Sequence, residues 1–261
     1  MIPIALLTLI KTSFFNPGEL WRAMDLSKRK SIALYLMICF FTTIPYFSSG
    51  LFQYDVLASN MASTEAHLPT FTIENDQIVF EPTLEKAIVS KTDFVTLIID
   101  PNQKYDDNLK TRAIEAAPIG IVFGKDAITV YTSNRPIAFN YKDLNGTTDQ
   151  FIRSFLLQFS QIGWLFIPLL ILFSFLAGLI EASFYLLYLT IFANLWTSFM
   201  RIRLPFAVNW KMIMTAAVVP MALLAIMNSF GIQPGAQTLI LLIIVIYMYN
   251  KGIKSYLKNI T

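Results

Sequence analysis

The sequence predicts an α-helical polytopic membrane protein, a five-helix bundle with an inserted extracytoplasmic α+β domain. Three observations carry that expectation. Only 14% of the 261 residues are charged while 55% are apolar, against about 25% charged in an ordinary soluble domain. The apolar residues gather into stretches of membrane-spanning length, which a soluble core does not need. The charges are also segregated. Residues 51–154 hold nine Lys/Arg and fourteen Asp/Glu, a net of −5, whereas the rest of the chain holds eleven Lys/Arg and three Asp/Glu, a net of +8. A basic membrane body around an acidic polar domain is not the footprint of a nucleic-acid partner, because basic residues beside membrane helices set orientation or touch anionic lipid.

Residues 1–30 read as a cytoplasmic or interfacial amphipathic region. The opening apolar run has no early basic residue, so residues 2–15 read as an interfacial helix with Leu6, Leu7, Ile10 and Phe14 on its apolar side, not as a secretory signal. A second short helix starts at Asn16-Pro17-Gly18-Glu19, where Asn16 can cap, Pro17 suits the first helical position and Glu19 can make a reciprocal contact. Residues 31–50 form the first transmembrane helix, about 30 Å long, with Pro45 kinking or ending it. Lys11, Arg22, Lys28, Arg29 and Lys30 precede it, which places the N-terminus in the cytoplasm and residues 51–154 outside.

Within 51–154 the hydrophobic period changes to that of strands. Thr70–Ile73 and Gln77–Phe80 flank a Glu74-Asn75-Asp76 turn. Phe94–Ile99 is a β-prone run, Gly120–Phe123 and Ala127–Thr132 flank Gly124-Lys125-Asp126, and Ile137–Tyr141 adds a strand. Leu84–Ser90 and Asn108–Ala117 read as short helices. These segments make a compact α+β domain. Residues 155–250 then form a four-helix membrane bundle, with crossings at Phe155–Gly178, Ala182–Met200, Met212–Asn228 and Gln237–Tyr249, and residues 251–261 are a basic C-terminal tail.

Charge and length disagree on the count. Five crossings put Arg201, Arg203, Lys211, Lys251, Lys254 and Lys258 on the disfavoured side, whereas a re-entrant Ala182–Met200 would leave four crossings with all eleven Lys/Arg that lie outside residues 51–154 on the cytoplasmic side. The nineteen charge-free residues of that stretch favour a full span, and five is the expectation adopted, with an extracytoplasmic C-terminus.

Phe14-Phe15-Asn16-Pro17 with Trp21 four residues on, followed by a basic cluster, a first span and a later compact bundle, resembles the Yip-like membrane superfamily. The domain inserted after the first span is similar to a bacterial branch of that group, of unknown mechanism, labelled maltodextrin-utilisation membrane protein. The resemblance implies a multi-pass protein of the bacterial cytoplasmic membrane and supports five spans. It implies no catalytic residues, and it carries over Asn16, Pro17 and Trp21 only as structural marks of the juxtamembrane segment. Its implied partners are the lipid bilayer and a membrane protein such as a sugar-uptake transporter.

Chemistry-bearing residues are few. One cysteine, Cys39, and one histidine, His67, remove an internal disulfide, a multi-histidine metal site and a Ser-His-Asp hydrolase built in the usual way. No cofactor is expected. Asp93, Asp100, Asp106 and Asp107 lack the spacing of a calcium loop, and Gly120–Asp126 lacks the ending of a phosphate loop. Glu181, the only acidic residue after Phe151, is either a proton or cation relay, a polar anchor for a partner helix, or a carboxylate in a short loop at the headgroups. Gly178 and Ala182 beside it permit close helix packing. Gln158, Gln161, Asn194, Asn209 and Asn228 are the remaining amides of the membrane body, and they are either a midplane carrier site, for which Gln158, Gln161 and Asn194 are the candidates, or ordinary helix-to-helix hydrogen bonds. The leading expectation is therefore a non-enzymatic membrane accessory or scaffold protein associated with carbohydrate uptake or the cell envelope. The alternative is a small solute or ion carrier.

Overall fold

The computed structural model describes residues 6–102, 106–115, 117–132 and 136–260. In chain order they form α1 (Leu6–Phe15), a 3-10 helix (Pro17–Asp25), α2 (Lys28–Ala66), β1 (Thr70–Glu74), β2 (Gln77–Glu81), β3 (Ile88–Lys91), β4 (Val95–Ile99), α3 (Asp107–Glu115), β5 (Ile119–Phe123), β6 (Ala127–Thr132), β7 (Pro136–Asn140), a second 3-10 turn (Tyr141–Leu144), α4 (Asp149–Gln161), α5 (Gly163–Phe199), α6 (Phe206–Ser229) and α7 (Gln237–Ile260). They divide into a helical unit, Met1–Leu51 with Pro168–Thr261, and a sheet unit, Phe52–Ile167.

Four helices among the described residues, α2, α5, α6 and α7, are long and apolar enough to cross a membrane. The mixed architecture of long apolar helices and an inserted sheet domain is as expected, but the five-helix bundle is corrected to four long helices. The separation expected at Gly178-Leu179-Ile180-Glu181 does not occur, because α5 runs unbroken for 37 residues. Gly178 is a contact point and not a break: a Cβ there would lie 2.7 Å from the Thr43 backbone nitrogen and 2.9 Å from its Cα. A glycine inside a helix costs only about 1 kcal/mol, which this close packing offsets. The re-entrant alternative for Ala182–Met200 is not formed either.

The first helix also differs from expectation. α2 passes Pro45 and Gly50 and ends at Ala66. Proline removes one helical hydrogen bond, but the segment beyond it has its own reason to stay helical. Leu57 and Met61 pack with Val95 and Leu156 in the sheet unit. In the same way, residues 155–161 belong to α4 and are not the start of a span. Arg153 fixes α4 against the end of α2. Its Nε donates to Asp149 Oδ2 at 2.9 Å, its Nη1 to the Glu65 carbonyl and to Glu65 Oε1 at 2.9 and 2.8 Å, and its Nη2 to the Leu68 carbonyl. These bonds, Glu65 first and then Asp149, hold the Arg153 pKa above its ordinary value.

The sheet unit contains the β1–β2 hairpin and a five-stranded sheet in the order β3-β4-β5-β6-β7. The hairpin pairs Glu74 with Gln77, leaving a two-residue turn in which Asn75 and Asp76 both take positive φ, 51° and 63°. That conformation suits the twist of the flanking strands, and Asn and Asp tolerate it. β4 and β5 are parallel, joined through α3, and the other neighbouring pairs are antiparallel. β4 is buried along its whole length. One side packs Leu97 and Ile99 with Phe71, Ile73, Phe80, Phe123 and Tyr141, and the other packs Ile98 with Ala113 and Val122. The Tyr141 hydroxyl donates to the Gly124 carbonyl at 2.8 Å, and burial pushes its pKa well above the ordinary tyrosine range. Leu84–Ser90 is not helical. Ile88–Lys91 instead pairs antiparallel with β4, so sheet pairing overrides local helix propensity. The helix expected at Asn108–Ala117 is present as α3, with Ala116 outside the described residues.

In the helical unit, α1 packs on α6 and the first 3-10 helix on α6 and α7. Residues 2–5 of the expected interfacial helix lie outside the described residues. Within α1, Leu9, Ile10 and Ser13 are buried while Leu7 is exposed.

Candidate functional site

The helical unit is stitched by residues at helical spacing. On α5 the buried stripe runs Ser174, Gly178, Ala182, Leu186, Leu189, Thr190, Ala193, Thr197, the 3.6-residue period of one helix face. Its small members allow α2 to approach. Thr42 Oγ1 donates to the Gly178 carbonyl at 2.8 Å, and the Tyr35 and Ser183 hydroxyls are 2.6 Å apart.

Glu181 sits beside this stripe at a cavity of about 30 Å³ where all four long helices meet. Thr42 and Pro45 come from α2, Glu181 and Tyr185 from α5, Asn228 from α6 and Gln237 from α7. The Tyr46 side chain of α2 interacts with the Glu181 carboxyl group. Asn228 Oδ1 and Gln237 Oε1 are enclosed and have no hydrogen-bond partner among the described residues. Buried acceptors in that state are uncommon. Space of this size admits about one or two water molecules or a small ion. The cavity lies where α6 gives way to α7. There Gly231 takes φ 75°, and its N–H and that of Ile232 bond the Asn228 and Met227 carbonyls at 3.0 Å each, a left-handed helix stop.

Asn194 is placed differently. Its Nδ2 donates to the Thr190 carbonyl at 2.8 Å and its Oδ1 accepts from Asn209 Nδ2 at 2.8 Å. Asn209 is fully buried, and its Oδ1 accepts from the Tyr249 hydroxyl at 2.5 Å. Three helices are thus joined by one amide-centred network, and its acceptors are occupied. Nearby, Trp196 Nε1 donates to Asn250 Oδ1 at 3.3 Å.

Gln158 and Gln161 are both exposed on α4 in the sheet unit, so the structure does not gather them with Glu181 and Asn194. Asn16 precedes the 3-10 helix without a side-chain cap bond. The Glu19 N–H instead reaches the Asn16 carbonyl at 2.9 Å, and Glu19 pairs with Arg22. Pro17 starts that helix, and its carbonyl lies against Gly252, whose missing side chain also makes room for Leu20. Trp21 lies 6.4 Å from the Tyr256 ring, with the Arg22 guanidinium over its face. Pro17 and Trp21 therefore dock the N-terminal segment on the end of α7. Sequence reasoning did not single out Asn228 or Gln237 as a site: Asn228 and Asn209 counted only among the amides of the membrane body, and Tyr249 only as a boundary aromatic. The available signal for the first two was position, since they are the polar residues that flank the short turn between two apolar helices.

Among the described residues no group of three or more His, Cys, Asp and Glu could hold a metal ion. Four long apolar helices with an inserted sheet domain define the class, a multi-pass membrane protein. Within that class the chain belongs to the family described as Protein of unknown function (DUF1189), which matches residues 7–253. No curated protein and no solved structure matches it.

Proposed function

We propose that the protein is a non-enzymatic accessory or scaffold protein of the bacterial cytoplasmic membrane, with both termini in the cytoplasm and the sheet unit displayed outside. One observation carries the orientation. At one end of the helical unit Lys211 Nζ donates to the Met24 carbonyl at 3.2 Å, Gly252 lies against Leu20 and Trp21 is near Tyr256. The start of α6, the end of α7 and the N-terminal segment therefore share that end, and with four spans all eleven Lys/Arg outside residues 51–154 fall on one side. The α6–α7 turn, residues 230–236, carries no charge. This distribution satisfies the positive-inside rule and removes the conflict that five spans created.

The accessory role is supported by two features. Asn194 and Asn209 are spent on joining helices, and the sheet unit has its own buried core. Association with carbohydrate uptake comes from the resemblance to Yip-like and maltodextrin-utilisation membrane proteins. A partner that is itself a membrane protein, such as a sugar-uptake transporter, fits the role. Copurification from native membranes at endogenous expression, followed by crosslink mapping, recovers a stable partner contacting the sheet unit or the helices. A protein that runs alone under those conditions overturns the reading. Reporters fused after Thr261 and before Leu6 give the same cytoplasmic signal, and opposite signals overturn the orientation.

A further inference from the structure

We propose that Glu181, Asn228 and Gln237 form a binding site for a monovalent cation of about sodium's size, in the cavity where α2, α5, α6 and α7 converge. Beside the Thr42 and Tyr185 hydroxyls, a carboxyl group and two side-chain amides line this space. The amide oxygens, Asn228 Oδ1 and Gln237 Oε1, are closed off from solvent without a donor, although buried carbonyl oxygens are ordinarily paired. Tyr46 interacts with Glu181, and neither amide oxygen receives a bond from the Thr42 and Tyr185 hydroxyls that also line the cavity. Pro45, on the lining turn of α2, has no N–H, so the Phe41 carbonyl on the same helix also lacks its usual helical donor.

The helices supply no counter-charge. The nearest basic residues along them are Arg201 for Glu181, Lys211 for Asn228, Lys251 for Gln237 and Lys30 for Pro45. They stand 20, 17, 14 and 15 positions away, roughly 20 to 30 Å at a helix's rise. A carboxylate in a low-dielectric bundle requires a proton, a partner or a bound ion. Oxygen donors without sulfur or imidazole select hard cations. One carboxylate with two neutral amides matches a single positive charge, whereas calcium sites use six to eight oxygens. A cavity of about 30 Å³ takes a desolvated ion with a water, and it is too small for a sugar. The site lies in the helical unit and rests on the membrane reading, but it is independent of the accessory role.

The full chain, purified in detergent, is unfolded thermally in sodium, lithium, potassium or N-methylglucamine chloride at constant ionic strength, and sodium-23 linewidths are recorded in parallel. The expected result is a saturable rise of the unfolding midpoint and broadening of the sodium line with sodium, and neither response with N-methylglucamine. In Glu181→Gln the sodium concentration needed rises at least tenfold. Should that variant not fold, Gln237→Ala, at the first turn of α7, is read by linewidth on the folded fraction and shows the same loss. Equal midpoints in all four salts overturn the proposal and mean that the cavity holds water only, or that an amide NH₂ turns toward Glu181. A sodium response undiminished in both variants overturns it as well. Absence of a copurifying partner leaves this result untouched, so the two readings fail separately.

Discussion

The two ends of the helical unit place similar residues in opposite states. At the α5–α6 end, Asn194, Asn209 and Tyr249 saturate one another across three helices. At the α6–α7 end, Asn228 and Gln237 face a cavity with their oxygens open, beside Glu181. An amide in an apolar helix is therefore not in itself a sign of either stitching or binding. What separates the cases is whether a donor lies opposite. In the first, a tyrosine and a second amide meet the carbonyls. In the second, neither the other amide nor the Thr42 and Tyr185 hydroxyls that line the same space stands in bonding position to Asn228 Oδ1 or Gln237 Oε1.

The largest expected effect comes from breaking the frame that both ends share. Gly178→Leu drives a side chain into the Thr43 backbone, which cannot yield as a flexible side chain would, and separates α5 from α2. The expected loss is about 3 kcal/mol or more, measured by denaturant unfolding in detergent. A variant as stable as the parent would show that the α2–α5 contact does not hold the bundle.

Much of the sheet unit was legible because its signals are local. Asn75-Asp76 supplies the backbone conformation a tight hairpin needs, and Gly124-Lys125-Asp126 separates two runs that pair residue by residue. Ile88–Lys91 misled because its pairing partner, β4, determines its state. The helices were legible as apolar segments, but their number was not. Gly178 and Glu181 resemble a loop when read along the chain, and only the neighbouring helix shows the glycine to be a point of close approach. Glu181 stood out as the lone acid in the bundle. Asn228 was one of several amides and Gln237 only the start of a span, because their convergence depends on the angle at which two helices leave a turn.

The next effect sharpens the contrast from the satisfied end. Asn209→Ala strands Asn194 Oδ1 without its donor and the Tyr249 hydroxyl without its acceptor, in a fully buried position. A cost of about 2 kcal/mol is expected. Tyr249→Phe costs less, since Asn209 keeps its bond to Asn194. A double-mutant cycle between the two positions gives a coupling clearly above zero, and additive costs would dissolve the network.

A smaller effect, of opposite sign, comes from the turns. α6 stops with Gly231 in the left-handed conformation, whereas α5 stops with Arg201 at φ 58°, its N–H and that of Ile202 bonding the Ser198 and Thr197 carbonyls at 3.0 and 2.9 Å. The backbone geometry is the same, and only one of the two residues is suited to it. Arg201→Gly is expected to stabilise by about 1 kcal/mol. A destabilised variant would mean that the guanidinium makes a contact worth more than the strain.

The smallest effect is the most direct test of the comparison. Asn228→Ala removes an amide whose oxygen has no partner, from the last turn of α6, where alanine favours the helix. The backbone carbonyl that accepts from the Gly231 N–H remains. Deleting an unsatisfied acceptor removes a desolvation cost as well as a group, so in N-methylglucamine chloride its stability should match the parent's within about 0.5 kcal/mol. Asn209→Ala, the same chemical change at the other end of the same helix, loses several times as much in the same buffer. Adding sodium should then reopen a gap between the parent and Asn228→Ala while leaving the deficit of Asn209→Ala constant. Equal losses for the two alanine variants without sodium would show that Asn228 is as fully bonded as Asn209, and the distinction between the two ends would disappear.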